Sequence, residues 1–282
     1  MKWNALMAVS ALTLAANTSA FALPKEITIA TEGAYPPWNF VLPDGTLGGY
    51  EIELAEVLCQ RIGVKCKIIS QEWNGIIPGL RVGKYDAIIA SVGLTEQRAR
   101  VVDFSVPYSA SPNGFLVRKN DDLSDLGFED LSFDLSASDL DGANQAISKL
   151  EQDFQGKTLG AQTGSTASSF IDQYFKNLDV RLYPTFEQLS LELNAGRIDV
   201  AVASVTTFKD VFESKDGANL KMSGPVFKGG VAGSGTAHVV VRKGKNDLKE
   251  AFNSAIVEIN QDGTNAELMK KWFGVDISIK SS

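Results

Sequence analysis

Two ten-residue segments in distant parts of the chain follow almost the same pattern. Residues 83–92 read GKYDAIIASV, and residues 196–205 read GRIDVAVASV. A glycine that ends a helix and β-branched residues that fill a buried strand account for the first part of this pattern. They do not account for the shared ending in Ala-Ser-Val. We therefore infer two units of similar architecture, each with a polar group at the carboxyl end of a core strand.

The segments around these two strands alternate between strand and helix patterns. In the first half, EITIATEG and CKIISQ are strand-like, while GGYEIELAEVLCQRIG and WNGIIPGLRVG have helical periodicity. The second half repeats the order with GKTLGAQTG, STASSFIDQYF, VRLYPT and FEQLSLELNAG. This alternation predicts an α/β fold with two lobes, each a mainly parallel sheet flanked by helices.

Two extended segments connect the halves, PYSASPNGFLVRK (residues 107–119) and GTAHVVVRKG (residues 235–244). We interpret them as two crossings between the lobes, which would guide a hinge motion. The predicted boundaries are residues 23–116 for the first part of lobe 1, 117–237 for lobe 2, and 238–282 for the C-terminal part of lobe 1. Ligands of open α/β sheets bind outside the carboxyl ends of the strands, so the expected site is a cleft between the lobes.

The N-terminus has the pattern of an export signal. Lys2 precedes the apolar stretch ALMAVSALTLAA, which is too short to span a bilayer, and Ala20-Phe21-Ala22 matches a signal peptidase site. We predict a signal peptide over residues 1–22 that is cleaved after Ala22. A retained membrane anchor is the alternative.

The cysteines and the histidine limit the possible chemistry. Cys59 and Cys66 lie close together, and such a pair in an exported protein indicates a disulfide that joins a helix end near Gly63 to the next strand. His238 is the only histidine, which excludes a multi-histidine metal site and argues against a Ser-His-Asp triad. The net charge is −7 and the basic residues are scattered, so a nucleic-acid partner is not expected. No cofactor or metal is expected either.

A series of motifs resembles the periplasmic solute-binding proteins of ABC importers, in the family that takes polar amino acids and opines. The motifs are AxxGxYPPWNF, GYEIELA, WNGIIPGL, GKYDAIIA, TEQR, FSVPY and KKWFG, in that order. Residues 121–154 form an insert that resembles the opine-binding branch of octopine and nopaline type, with an extra helical segment in lobe 2. The resemblance implies a type II periplasmic binding protein fold. It also implies a monomer in the periplasm that delivers its ligand to an ABC permease in the inner membrane.

The resemblance also implies that Arg98 binds the α-carboxylate of the ligand. A planar guanidinium matches a carboxylate with two parallel N–H···O bonds, and a cleft that excludes water strengthens the pair. The alternative is an arginine on a solvated helix face, which Arg100 is expected to be. Thr95 is expected to cap this helix and, with the Gly93 N–H, to complete the carboxylate site.

Lobe 2 is expected to contribute donors from a helix N-terminus. Gly164, Ser165 and Thr166 would offer N–H and hydroxyl groups to the same carboxylate or to a sugar-like tail of the ligand. A plain N-cap by Ser165 or Thr166 is the alternative, and both roles can hold at once. Gln162 of lobe 2 and Ser91 of lobe 1 are also predicted to contact the ligand.

The remaining predicted contacts come from lobe 1. By the resemblance, Glu32 is the acid that contacts the distal end of the ligand, and Trp73 and Tyr35 are the rings that sandwich its side chain. Core packing is the alternative for Trp73. Trp38 is interpreted as a packing residue.

One position departs from the family pattern. Standard amino-acid binders place an aspartate after the strand that matches DVAVASV, where it pairs with the α-ammonium, and this chain has Ser204. The loss of that acid favours a secondary amine that carries another substituent, as in an opine. A plain polar or basic amino-acid binder, with Ser204 and water replacing the aspartate, remains an alternative. So does a cyclohexadienyl-dehydratase-like enzyme that uses Glu32 as general acid or base. A receptor ligand-binding domain is disfavoured, because no later segment resembles a membrane span.

Overall fold

The computed structural model describes residues 23–213 and 217–279. The predicted signal peptide and its cleavage site after Ala22 lie outside the described residues. Within the described ranges, no helix has both the length and the apolar character that a bilayer crossing requires.

The helices and strands follow the alternation expected from the sequence. The strands are β1 (Glu26–Thr31), β2 (Ala34–Tyr35), β3 (Asn39–Val41), β4 (Leu47–Gly48), β5 (Lys65–Ser70), β6 (Ala87–Gly93), β7 (Val102–Ala110), β8 (Asn113–Arg118), β9 (Ser132–Asp134), β10 (Thr158–Gln162), β11 (Asp179–Tyr183), β12 (Val200–Ser204), β13 (Leu220–Lys228) and β14 (Thr236–Arg242). The helices are α1 (Tyr50–Ile62), α2 (Trp73–Arg81), α3 (Glu96–Ala99), α4 (Asp141–Asp153), α5 (Thr166–Tyr174), α6 (Phe186–Asn194), α7 (Phe208–Glu213), α8 (Asn246–Gln261) and α9 (Thr264–Phe273). Short 3-10 turns span Asp122–Ser124, Val205–Thr207 and Gly230–Ala232.

Two large sheets form the two lobes. The strand order is β5-β1-β6-β14-β7 in lobe 1 and β11-β10-β12-β8-β13-β9 in lobe 2, and β2, β3 and β4 form a small third sheet. The predicted parallel pairing is confirmed for β5-β1-β6 and for β11-β10-β12. Strands β8 and β14 pair antiparallel with β12 and β6, because each enters its sheet from the other lobe and not through a helical crossover.

The near-repeat in the sequence corresponds to equivalent strands. Strand β6 lies beside β1 in lobe 1, and β12 lies beside β10 in lobe 2. The apolar run of each is buried, as two-sided coverage by helices requires. Ser91 and Ser204 stand at the carboxyl ends of these strands, and both line the cavity between the lobes.

The chain passes from one sheet to the other at Ser111–Pro112 and again between β13 and β14. Strand β8 therefore belongs to the second sheet from Asn113 onward, and β14 belongs to the first sheet from Thr236 onward. Both changes of sheet come slightly before the predicted lobe boundaries at residues 116 and 237, which stay a prediction. The Ala110 N–H donates to the Ile277 carbonyl at 2.9 Å, so the C-terminal segment lies along the first crossing.

The core of lobe 1 includes the C-terminal helices. Phe252 of α8 and Phe273 of α9 pack into the same cluster as Tyr50 and Trp38. Trp38 is fully buried, with its ring centroid 5.5 Å from that of Tyr50 in an edge arrangement. Its interpretation as a packing residue is confirmed.

The disulfide prediction is confirmed. Helix α1 ends at Ile62, and Gly63 adopts a left-handed conformation with φ 71°, the usual role of a glycine after a helix. Cys59, in the last turn of α1, bonds to Cys66 in β5. The bridge thus joins the helix end to the start of the strand.

The insert in lobe 2 contains the expected helical segment. Residues 141–153 form α4, which buries Ala143, Ala146, Ile147 and Leu150 on one face. This face packs into the lobe 2 core with Phe115 from β8.

Candidate functional site

A cavity of about 50 Å³ lies between the lobes at the carboxyl ends of the parallel strands. Ten of the twelve predicted ligand-binding residues line it: Glu32, Tyr35, Trp73, Ser91, Gly93, Arg98, Gln162, Ser165, Thr166 and Ser204. The other two lie beside it. Thr95 faces a neighbouring cavity, and the Gly164 carbonyl accepts a hydrogen bond from Arg98.

Arg98 lies on the short helix α3 with its guanidinium at the cavity wall. As predicted, the Thr95 hydroxyl caps this helix, because it accepts from the Arg98 backbone N–H at 3.2 Å. The guanidinium donates to the Gly93 carbonyl at 2.8 Å and to the Gly164 carbonyl at 2.9 Å, so it contacts both lobes. It also stacks over Trp73, with its central carbon 5.4 Å from the ring centroid.

The charge of the Arg98 guanidinium decides which ligand groups this wall of the cavity suits. In the described part of the chain no carboxylate pairs with it, and burial lowers its pKa to about 10. A guanidinium has five N–H donors, of which the two carbonyl bonds use two. The remaining donors and the unpaired charge suit a carboxylate.

The N-terminus of α5 supplies the opposite wall. The Ser165 hydroxyl accepts from the Ser168 N–H at 3.0 Å, so it acts as the N-cap. The Thr166 hydroxyl accepts from the Asn113 side-chain amide at 3.1 Å. Both hydroxyls therefore have structural partners within lobe 2, as the N-cap alternative requires.

Glu32 is the one acidic residue among the described residues that line the cavity. It follows β1, is 6% exposed, and accepts from the Gln162 amide of lobe 2 at 2.6 Å. Burial raises the pKa of Glu32 to about 7. The nearby Glu51 raises this pKa further, and the Gln162 bond partly offsets the rise. The carboxylate is thus placed to accept a cationic group of a ligand.

The buried Glu32 carboxyl makes stability depend on pH. Its pKa is about 7 in the folded chain and 4.5 in the unfolded chain, so between these values the folded chain holds a proton that the unfolded chain has lost. Stability therefore falls as the pH rises through this interval, by on the order of 3 kcal/mol for one group. Burial also raises the pKa of Glu51 to about 7, so Glu51 contributes a similar fall in the same interval. We therefore expect Glu32→Gln to remove about half of the fall in unfolding free energy measured in urea from pH 5 to pH 8.

The matched control for this prediction is Glu56→Gln, which alters an exposed glutamate of lobe 1. It should keep the wild-type profile. Burial lowers the pKa of His238, so protonation of His238 opposes the Glu32 effect below pH 6.5, but it acts equally in both proteins and cancels in their difference. A Glu32→Gln profile as steep as that of the wild type would contradict the assignment.

Aromatic rings from both lobes face the cavity. Tyr35 of lobe 1 lies edge-on to Phe186 of lobe 2, with ring centroids 5.6 Å apart. Trp73 begins α2, where one side packs on the lobe 1 core and the other meets Arg98. Trp73 therefore packs on the core and also lines the cavity, and its contact with the ligand side chain stays a prediction. Phe186 was missed from the sequence, because an aromatic residue at the start of a helix has no feature that separates a cleft residue from a core residue.

A row of hydroxyl groups marks the crossing between lobes. The Ser204 hydroxyl is within 2.7 Å of both the Ser111 and the Thr206 hydroxyls, and Ser111 is 3.5 Å from Ser91. Ser204 is 7% exposed, so its environment is polar but largely shielded from solvent.

Several cavity residues on or next to the crossings were missed from the sequence. They are Ser111, Asn113, Ala232, Gly235 and Thr236. The crossings were recognised from their extended pattern, but nothing in that pattern shows which of their side chains face the cleft. In the described residues there is also no cluster of acidic, cysteine and histidine side chains that could hold a metal ion.

Comparison with known proteins agrees with this geometry. Residues 27–275 match the family model for bacterial extracellular solute-binding proteins, family 3. The chain is 38% identical to an octopine-binding periplasmic protein of Rhizobium meliloti, covering 99% of each chain. It is 30% identical to an L-arginine-binding protein of Pseudomonas aeruginosa, covering 98% of each. The solved structure of an ancestral arginine-binding protein bound to arginine superimposes with a TM-score of 0.73 at 30% identity, covering 89% of this chain and 99% of the other. The chain belongs to the bacterial extracellular solute-binding proteins, family 3.

Proposed function

We propose that this protein is the periplasmic substrate-binding component of an ABC importer and that its ligand is an opine. The observation that carries the proposal is the charge distribution in the cleft. Among the described residues that line the cavity, Arg98 is the one cation and Glu32 the one anion. Their side chains do not pair with each other, so each can take a group of opposite charge from a ligand.

Ser204 is the residue that makes the cleft favour an opine over a free amino acid. A free amino acid presents an α-ammonium, and a buried ammonium needs an anionic partner. Around Ser204 the chain offers the neutral hydroxyls of Ser111 and Thr206. In octopine the α-nitrogen of arginine carries a carboxyethyl substituent. This substituted nitrogen needs fewer anionic contacts from the protein than a free α-ammonium does. The carboxylate of the substituent can accept hydrogen bonds from the hydroxyls around Ser204. The similarity to the octopine-binding protein of Rhizobium meliloti supports the same ligand class.

The proposed mechanism is binding by lobe closure without chemistry. Lobe 1 would capture the ligand through Arg98, Glu32, Tyr35 and Trp73. Lobe 2 would then add contacts from Ser204, Gln162 and the N-terminus of α5. Closure is favoured because the ligand contacts both lobes in that form, and a ligand shifts an equilibrium only through such differential contacts. A Kd near 1 µM corresponds to about 8 kcal/mol, which suits a few charge-assisted bonds and an aromatic contact. An ABC permease in the inner membrane would recognise the closed form.

The test is isothermal titration calorimetry of the purified protein with octopine and with L-arginine. We expect octopine to bind at least about 10-fold more tightly, a difference of about 1.4 kcal/mol. The reverse order would show a plain basic amino-acid binder. Incubation with prephenate addresses the enzyme alternative, because formation of an aromatic product would replace the binding mechanism with catalysis.

A further inference from the structure

A buried carboxylate lies behind the cleft, in the first turn of α1. Glu51 is 1% exposed and does not line the cavity. In the described part of the chain it is paired with no lysine or arginine, and burial raises its pKa to about 7. An isolated buried carboxyl group is unfavourable, so its hydrogen bonds indicate what it does.

The hydrogen bonds of Glu51 lead to two segments of lobe 1, the loop after β1 and the end of β6. Its Oε1 accepts from the Ser91 backbone N–H at 2.5 Å and from the Tyr108 hydroxyl. Its Oε2 accepts from the Asn39 amide at 2.6 Å. The Asn39 side-chain oxygen in turn accepts from the Gly33 N–H at 2.6 Å. One carboxylate therefore holds two backbone N–H groups that are far apart in sequence, one directly and one through Asn39.

Both of these segments carry residues of the cleft. Gly33 immediately follows Glu32 and precedes Tyr35, and Ser91 itself lines the cavity two residues before Gly93. Ser91 has φ +48°, a left-handed conformation that costs a residue with a side chain about 1–2 kcal/mol. The bond from its N–H to Glu51 holds this conformation in place.

We propose that Glu51 is a positioning residue that sets the backbone of the loop after Glu32 and of the end of β6 at Ser91 before the ligand arrives. This inference rests on the proposed function. A site already held in its bound geometry loses less conformational freedom on binding, so its affinity is higher. An apolar side chain would fill the space behind the cleft but would leave the Ser91 N–H with its longer 3.2 Å bond to the Tyr108 hydroxyl, and Asn39 without a partner for its amide.

The first test is Glu51→Gln. Glutamine keeps one oxygen acceptor for the Ser91 N–H, but a neutral amide oxygen is a weaker acceptor than a carboxylate. Its NH₂ group is turned toward the NH₂ group of Asn39, so the bond between position 51 and Asn39 is lost. We expect the Kd for octopine to rise at least about 10-fold, equivalent to about 1.4 kcal/mol. We also expect faster hydrogen exchange of the Ser91 and Gly33 amides in the protein without added ligand.

The second test restores the bond by exchange. In Glu51→Gln/Asn39→Asp, the glutamine amide donates to the new carboxylate, which still accepts from the Gly33 N–H. Octopine affinity and amide protection should return to within about 3-fold of the wild type, a difference near RT. A role confined to general packing would not be rescued by this exchange.

Two further variants keep the result interpretable. Tyr50→Phe, the matched control, removes a buried 2.6 Å hydrogen bond to Asn265 from the neighbouring position of α1. It should lower Tm without changing octopine affinity or the Ser91 amide. If Glu51→Gln fails to fold, Tyr108→Phe removes one bond to the same carboxylate and the longer 3.2 Å bond from the Ser91 N–H. The bond from the Ser91 N–H to Glu51 remains, so we expect the same changes at Ser91 with a smaller amplitude.

The outcomes separate this inference from the proposed function. Failure of the wild type to bind octopine counts against the proposed ligand, whereas the exchange measurement on the Ser91 and Gly33 amides still decides the positioning role. The positioning role is wrong if those amides exchange at the wild-type rate in Glu51→Gln. It is also wrong if Tyr50→Phe weakens octopine binding as much as Glu51→Gln does.

Discussion

Replacement of Arg98 by alanine is expected to weaken octopine binding by at least about 100-fold, since two charge-assisted hydrogen bonds contribute about 3 kcal/mol or more together. The guanidinium stands at the cavity wall with unused donors, and no carboxylate of the described chain neutralises it. Titration calorimetry measures the loss directly.

The same substitution should leave the fold intact, with Tm close to that of the wild type. Within the protein, Arg98 donates to the Gly93 and Gly164 carbonyls, and burial lowers its pKa to about 10, so the charged side chain is held at some cost. Removing it therefore sacrifices little stability. Unfolding of the alanine variant at the growth temperature would contradict a binding role.

Two further substitutions sharpen the Arg98 experiment. Arg98→Lys keeps the charge but lacks the planar fork, and should recover part of the lost affinity. Arg100→Ala, on the exposed part of the same segment, should bind octopine as the wild type does. Equal affinities for Arg98→Ala and Arg100→Ala would place the carboxylate site elsewhere.

Replacement of Ser204 by aspartate is expected to reverse the ligand preference. The new carboxylate would be largely buried beside the Ser111 and Thr206 hydroxyls, which can both donate to it. It would pair with the α-ammonium of L-arginine and repel the second carboxylate of octopine. We expect L-arginine to gain and octopine to lose about 10-fold each, a combined shift of about 2.8 kcal/mol.

Ser204→Ala is the matched control for this prediction, because it removes the hydroxyl without adding a charge. It should weaken octopine modestly and leave the order of the two ligands unchanged. Calorimetry of the aspartate variant with octopine and with L-arginine measures both changes in affinity. An unchanged preference for octopine in that variant would show that position 204 does not face the ligand nitrogen.

Much of the fold could be predicted because it depends on local patterns. The end of α1 follows from the glycine at position 63, whose freedom to adopt a left-handed conformation terminates the helix. The near-repeat placed Ser91 and Ser204 at equivalent strand ends, and both line the cavity. The Thr95 cap and the position of Arg98 followed from helix-start chemistry together with a motif.

Other parts of the site could not be predicted because they depend on the direction of single side chains. The bond from Arg98 to the Gly164 carbonyl was not foreseen, and the expected contact of the Gly164 N–H with the ligand stays a prediction. Phe186 and Ser111 lie in segments whose periodicity was recognised, but periodicity does not show which face meets the other lobe. Glu51 was passed over within the GYEIELA motif, since a charged residue near a helix start usually lies in solvent.

The sequence by itself determined the order of strands and helices, the two similar units, the disulfide and the residue types available for a cleft. Each of these depends on neighbours in the chain, on periodicity or on a short spacing. Only the tertiary structure decided which groups meet across the cleft. Glu32 and Gln162 are 130 residues apart and lie 2.6 Å from each other because two separately packed sheets bring their strand ends together. That approach is set by packing over the whole molecule, which no local pattern encodes.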